Sequence, residues 1–191
     1  MELVKMINGL LDFGAIGDSL NALVSGLPFH FVLHPAVVHF ALVLPALALL
    51  FQVMGLVTKN VTYRRVANLL FYLGVVAVVI ATISGRVAGP DVKPLLNAEG
   101  QALFTEHMEI GFALATFYVL LAVLKTISIF VNNGIFRILM ALLLVAGVGG
   151  LFVQAQHGGE LVYKYAGGID TKNIPNEFDD DDDEDEEDED E

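Results

Sequence analysis

The sequence predicts an all-α fold: an integral membrane antiparallel four-helix bundle with an N-terminal interfacial helical segment and a disordered acidic C-terminal tail. Three observations carry this. Hydrophobic residues fill 55% of the 191 positions, and mean hydropathy is +0.64. Four apolar runs approach or exceed the roughly 20 residues that cross a bilayer as helix, and in lipid the backbone amides of such runs must be satisfied within the segment. The links between the first and second runs and between the third and fourth are short, which sets sequence neighbours antiparallel.

Taken in order, residues 1–33 hold Leu10, Leu11, Ile16, Leu20, Leu23 and Val24, interrupted by Asp12, Asp18 and several glycines. That pattern predicts a short helix or two lying along the interface. The start, MELVK, lacks a strongly basic n-region and the stretch has no small-residue cleavage site, so it is expected to stay in the mature protein. The transmembrane domain is expected over 34–169, with helices at 35–57, 66–85, 107–131 and 135–156. In the tail, 170–191, every residue from Asp179 to Glu191 is acidic. The acids outside that run balance the 10 Lys and Arg, so the net charge of −13 resides in the tail. Such a run repels itself and is expected to be disordered. It can steer a basic partner by raising the encounter rate, or serve only as a solubilising end. Nucleic acid is not among the expected partners. Cysteine is absent, which excludes disulfides, c-type haem attachment and thiolate metal or iron–sulfur sites. Imidazole is then the one strong soft-metal ligand left.

Charge orients the bundle. Lys59, Arg64, Arg65, Lys125 and Arg137 fall at one side of the spans with no acid among them, while all Asp and Glu fall toward the other. By the positive-inside rule the basic side is cytoplasmic. The expected location is the cytoplasmic (inner) membrane, multi-pass, with both termini exoplasmic.

His34, His39, His107 and His157 then share the exoplasmic layer, with His30 just outside it. Pro35 is a favoured first-turn proline, which puts His34 at the mouth of the first helix. His39 lies about 7.5 Å deeper and about 140° round the axis. His107 is expected to open the third helix and His157 to close the fourth. Four imidazoles from three helix ends can make two bis-histidine pairs, the arrangement that clamps a haem iron from both faces, and depth pairs His39 with His107 and His34 with His157. Gly111 and Ala115 follow His107, and Gly150, Gln154 and His157 keep the i, i+4, i+7 spacing of one face; small residues beneath a ligand leave flat space, and they also let membrane helices approach closely. Arg86 and Lys93 stand in the same layer as cations for propionates, although a helix-end Arg also snorkels to headgroups.

The segment Leu33-His34-Pro35-Ala36-Val37-Val38-His39-Phe40, the ending Ser84-Gly85-Arg86-Val87-Ala88-Gly89, His107, and His157-Gly158-Gly159-Glu160-Leu161-Val162-Tyr163 followed by Gly167-Gly168 together resemble the DUF2231 family of predicted four-helix membrane proteins, over roughly residues 33–169. By that resemblance His34, His39, His107 and His157 correspond to the family's histidines. Some members are joined to cytochrome c-like domains, which implies redox company and makes b-type haem the natural cofactor. The chain departs from the family pattern at Ala41, where a proline often follows the HF pair, and in its acidic tail and N-terminal extension.

The expected function is therefore a membrane b-type cytochrome that binds one or two haems b near the exoplasmic face and relays electrons, an electron-transfer subunit more than a stand-alone enzyme. The cytoplasmic helix ends carry no histidine, and Met54 and Met140 there read as packing, so the relay is confined to the outer leaflet and its aqueous edge. Besides the bilayer, candidate partners are quinone and a basic c-type cytochrome or other redox subunit; oligomer formation stays open. Two alternatives stand beside this. In one, three of the histidines hold zinc, copper or iron with Glu106 or Glu109 as further ligand or base. In the other, the chain is a structural membrane subunit whose histidines anchor it.

Overall fold

The computed structural model describes residues 33–131 and 133–169, and all regular structure among them is helical. The expected N-terminal interfacial segment, His30 and the acidic tail lie outside the described residues. Four helices run in order: α1 (Leu33–Val57), α2 (Val61–Val92), α3 (Ala98–Val131) and α4 (Gly134–Tyr163), with a 3-10 turn, Lys93–Leu95, between α2 and α3. All four are long and apolar enough to cross a membrane. The protein is a four-span membrane protein, and its medium is a lipid bilayer.

Side-chain caps start three of the helices. Asn60 accepts from the Thr62 N–H at 2.8 Å, Asn97 from the Gly100 N–H at 2.8 Å, and Asn133 from the Ile135 N–H at 2.9 Å. Each cap satisfies an amide that has no partner within its own helix. The caps at Asn60 and Asn97 also explain why α2 and α3 start earlier than the apolar runs. α2 begins five residues before the expected start at 66, and α3 begins at Ala98 rather than His107. α4 continues to Tyr163, well past 156. Helical hydrogen bonding carries on into polar turns that no longer read as membrane-spanning.

Each helix packs on its sequence neighbours, and α1 also packs on α4, so the four close into a square; the most extensive contact is α1 with α2. Small residues make that closeness possible. On α1 the buried positions are Ala41, Pro45, Ala48, Gln52 and Gly55; on α2 they include Ala67, Phe71, Gly74, Val78 and Ala81. Both series step by three and four residues, the spacing of one helix face. The common core also takes in Tyr118 and Leu121 of α3 and Met140, Leu144, Val148 and Leu151 of α4. Large apolar side chains such as Val43, Leu50, Ile80, Leu120, Val123 and Leu142 are exposed around the outside, where lipid covers them.

The end of the bundle beyond the histidines is closed by the chain after α4. Gly167 donates its N–H to the Leu161 carbonyl at 2.8 Å, and the Tyr165 ring packs over Gly100 of α3. This fold-back ties the last residues of the domain to the turn that enters α3.

Candidate functional site: a three-helix histidine cluster

His34 is the second residue of α1, and its ring seats on α2. Its Nδ1 lies 2.9 Å from the Ala81 carbonyl oxygen and 3.1 Å from Ser84 Oγ. A carbonyl only accepts, so Nδ1 carries the proton and Nε2 is left with its lone pair. Gly85 makes the seat: a Cβ there would stand 2.9 Å from His34 Cε1.

His107 does not open α3 and His157 does not close α4, as the apolar runs predict. His107 follows Ala98 by nine residues and His157 precedes Tyr163 by six, distances of about 14 and about 9 Å along the helix axes. His107 faces α4 at Gly158, where an added Cβ would stand 3.3 Å from His107 Cε1. His107 is within electrostatic reach of both His34 and His157. Three of the four histidines, from three helices, thus gather at one level of the bundle. The Nδ1 atoms of His107 and His157 are buried and have no hydrogen-bond partner. Buried polar atoms are nearly always satisfied, which makes these two imidazole nitrogens exceptions among the described residues.

Gln154 is the residue that sequence reasoning undervalued. Its amide Nε2 donates to the His107 carbonyl oxygen at 2.8 Å, and its Oε1 is a third buried atom without a partner. Spacing alone signals it, because Gln154 and His157 are separated by three residues and share a helix face.

The remaining predicted residues take other positions. His39 is exposed, and its Nδ1 donates to the Pro35 carbonyl one turn back. The neighbours of His107 are therefore His34 and His157, and not the His39 that depth alone would pair with it. Gly111 faces the Gln154 amide, with its missing Cβ 2.9 Å from Nε2, and the space at Gly150 is filled by Leu114, 2.7 Å from where a Cβ would be. Both glycines permit the approach of α3 and α4. Arg86 is exposed at the histidine end, with its guanidinium over the Phe112 ring at 5.4 Å, and Lys93 donates to Thr105 Oγ1 at 3.2 Å. Glu106 and Glu109 are exposed. Among the described residues, no three of His, Asp or Glu come close enough to share one metal ion. The cluster suits ligation by two imidazoles at a time better than a three-ligand metal centre.

No curated protein and no solved structure matches the chain. A family model described as predicted membrane protein, DUF2231, matches residues 30–171, all four helices and the whole histidine cluster included. The four spans, their order and this match make the chain a member of the DUF2231 family of membrane proteins.

Proposed function

We propose that the chain is a b-type cytochrome of the cytoplasmic membrane, holding haem at the His34, His107 and His157 cluster near the exoplasmic face and relaying electrons between a quinol or other redox donor and a cytochrome. The observation that carries this reading is the pair of buried, partnerless Nδ1 atoms on His107 and His157 beside a His34 whose Nε2 is free. A ligating histidine commonly donates its second ring nitrogen to a backbone carbonyl, which fixes tautomer and ring direction. His34 has that support from Ala81.

Held by histidines of this cluster, haem would supply one-electron chemistry. The chain's part is to position it. Gln154 holds the α3 backbone at His107, Gly111 and Gly150 let α3 and α4 pack closely below the two histidines, and Arg86 stands at the same end as a cation for carboxylate groups. No equivalent cluster of imidazoles exists at the other end of the described helices, so a relay through this chain stays on the histidine side. The basic residues at the opposite end favour the histidine side as exoplasmic.

An absorption spectrum of the purified full chain tests the proposal. Sharp Soret and α bands that respond to dithionite are expected. His107→Ala and His157→Ala each remove the low-spin spectrum, and His34→Ala removes or shifts it, while His39→Ala leaves haem content within error of the parent. A colourless protein carrying stoichiometric zinc would move the site to metal binding, and one with neither would leave a structural subunit.

A further inference from the structure

At the end of the bundle opposite the histidines, the helices surround a part-open cavity of about 190 Å3 lined by Gln52, Arg64, Arg65, Asn68, Lys125 and Arg137 among others. Four of these are cations, brought together from α2, α3 and α4. None of the lining residues is acidic. The carboxylates among the described residues are Asp91, Glu99, Glu106, Glu109 and Glu160, all at the histidine end, so none is available as a counter-ion here.

Lys125 sets this apart from an ordinary basic rim. It lies six residues inside the end of α3, about 9 Å along the axis, and is only 5% exposed. Its ammonium donates to Gln52 Oε1 at 2.7 Å and sits 5.7 Å from the Phe71 ring centroid. Both neighbours are neutral. The guanidinium Nε atoms of Arg64 and Arg137 are buried and have no hydrogen-bond partner. Burying cations is costly unless an opposite charge and hydrogen bonds meet them. The preference for basic residues on one side of a membrane accounts for cations at helix ends. It does not account for three helices turning them into one cavity, or for two orphaned Arg donors beside a buried lysine.

We propose that this cavity binds a phosphate oxyanion that carries no cation of its own, supplied either by the headgroup of an anionic phospholipid or by free phosphate. Guanidinium forks match phosphate oxygens in pairs, and an ammonium adds a point charge. Gln52 and Asn68 supply neutral amide donors on the same lining. The cavity sits by the α1–α2 and α3–α4 connections, the level at which the spans leave the hydrocarbon and headgroup phosphates lie. The proposal is independent of the haem reading.

Native mass spectrometry of the full chain in neutral detergent, offered phosphatidylglycerol and phosphatidylcholine at equal mole fraction, tests the lipid source. Thermal unfolding in added inorganic phosphate, with chloride holding ionic strength constant, tests the free anion. If a lipid occupies the cavity, one phosphatidylglycerol is retained about tenfold more tightly than phosphatidylcholine, a difference of about 1.4 kcal/mol. If free phosphate does, the melting temperature rises with its concentration. In either case R64Q/R137Q removes the effect, as does K125M, which keeps an apolar chain of similar length in the buried position. Lys59→Asn keeps it, since Lys59 is at the same end but outside the lining. Absence of both lipid preference and phosphate stabilisation in the unmodified chain overturns the proposal whatever the variants do. Equal loss in Lys59→Asn also overturns it, because the effect would then follow overall charge and not the cavity.

Discussion

The Nδ1 of His34 donates to the Ala81 carbonyl at 2.9 Å, and this one bond joins the start of α1 to α2 across 47 residues of chain. It uses a backbone oxygen of α2, and it leaves the opposite ring nitrogen with its lone pair. Ser84 Oγ accompanies it at 3.1 Å from the same nitrogen.

Gly85→Ala places a methyl 2.9 Å from His34 Cε1. The ring must shift, and overpacking of this kind costs about 1–3 kcal/mol. Lower haem occupancy or a displaced Soret band is expected. Gly149→Ala is the control, because nothing lies within 4 Å of its added methyl, and it should leave the spectrum unchanged. Equal behaviour of the two variants would remove His34 from the ligand set.

Gly111→Ala drives a methyl to 2.9 Å from the Gln154 amide, which bonds the His107 carbonyl. A loss of about 1–3 kcal/mol in unfolding free energy is expected. Shortening the opposing side chain relieves the clash, so the double variant with Gln154→Ala should be more stable than the two single losses predict. A double-mutant cycle in detergent, read by thermal or denaturant unfolding, measures that coupling, which for residues in contact is about 0.5–3 kcal/mol. Strict additivity would mean that Gln154 is not the obstacle.

The cation distribution predicts sidedness. A tag after Glu191 should be labelled in intact spheroplasts by a reagent that does not cross the membrane, and a tag within 58–65 should be labelled only after permeabilisation. The reverse pattern would put the histidine cluster on the cytoplasmic side and redirect the relay to partners there.

Residues 179–191 form an unbroken run of acids, outside the described residues. Their field acts over about 10 Å at about 0.1 M salt and about 3 Å at about 1 M. Deleting them should slow reduction or oxidation by a basic cytochrome at low salt, with little effect at high salt and none on haem content. Stopped-flow exchange at both salt concentrations checks this. An unchanged rate at low salt would reduce the tail to a solubilising end.

Fold class and span number were legible in the sequence because the bilayer imposes length and apolarity on each helix. Helix ends were less so. Asn97 lies ten residues before His107, where the third apolar run begins, and only attention to its capping amide would have extended α3 to Ala98. Lys125 reads in sequence as a residue of the basic side, yet Tyr118, Leu121, Lys125 and Ser128 recur at helical spacing and all four are buried. That stripe was visible, but Lys at a span's end is so commonly a headgroup contact that its inward direction goes unread.

The sequence by itself determined that four helices cross the membrane, that His34, His39, His107 and His157 fall toward one end of them and that the unpaired basic residues fall toward the other. Only the tertiary structure decided that His34 and His157 gather within electrostatic reach of His107 while His39 faces outward, and that Arg64, Lys125 and Arg137 share a cavity. The reason is rotational. Depth along a helix follows from residue number at about 1.5 Å each, but the direction a side chain faces depends on how each helix is turned about its axis. Lipid is as apolar as the bundle core, so helices apolar on every side carry no hydrophobic stripe to announce that turn. It is settled by close packing, by Gly85 beneath His34 and Gly111 beneath Gln154, and packing of that kind exists only once all four helices are in place.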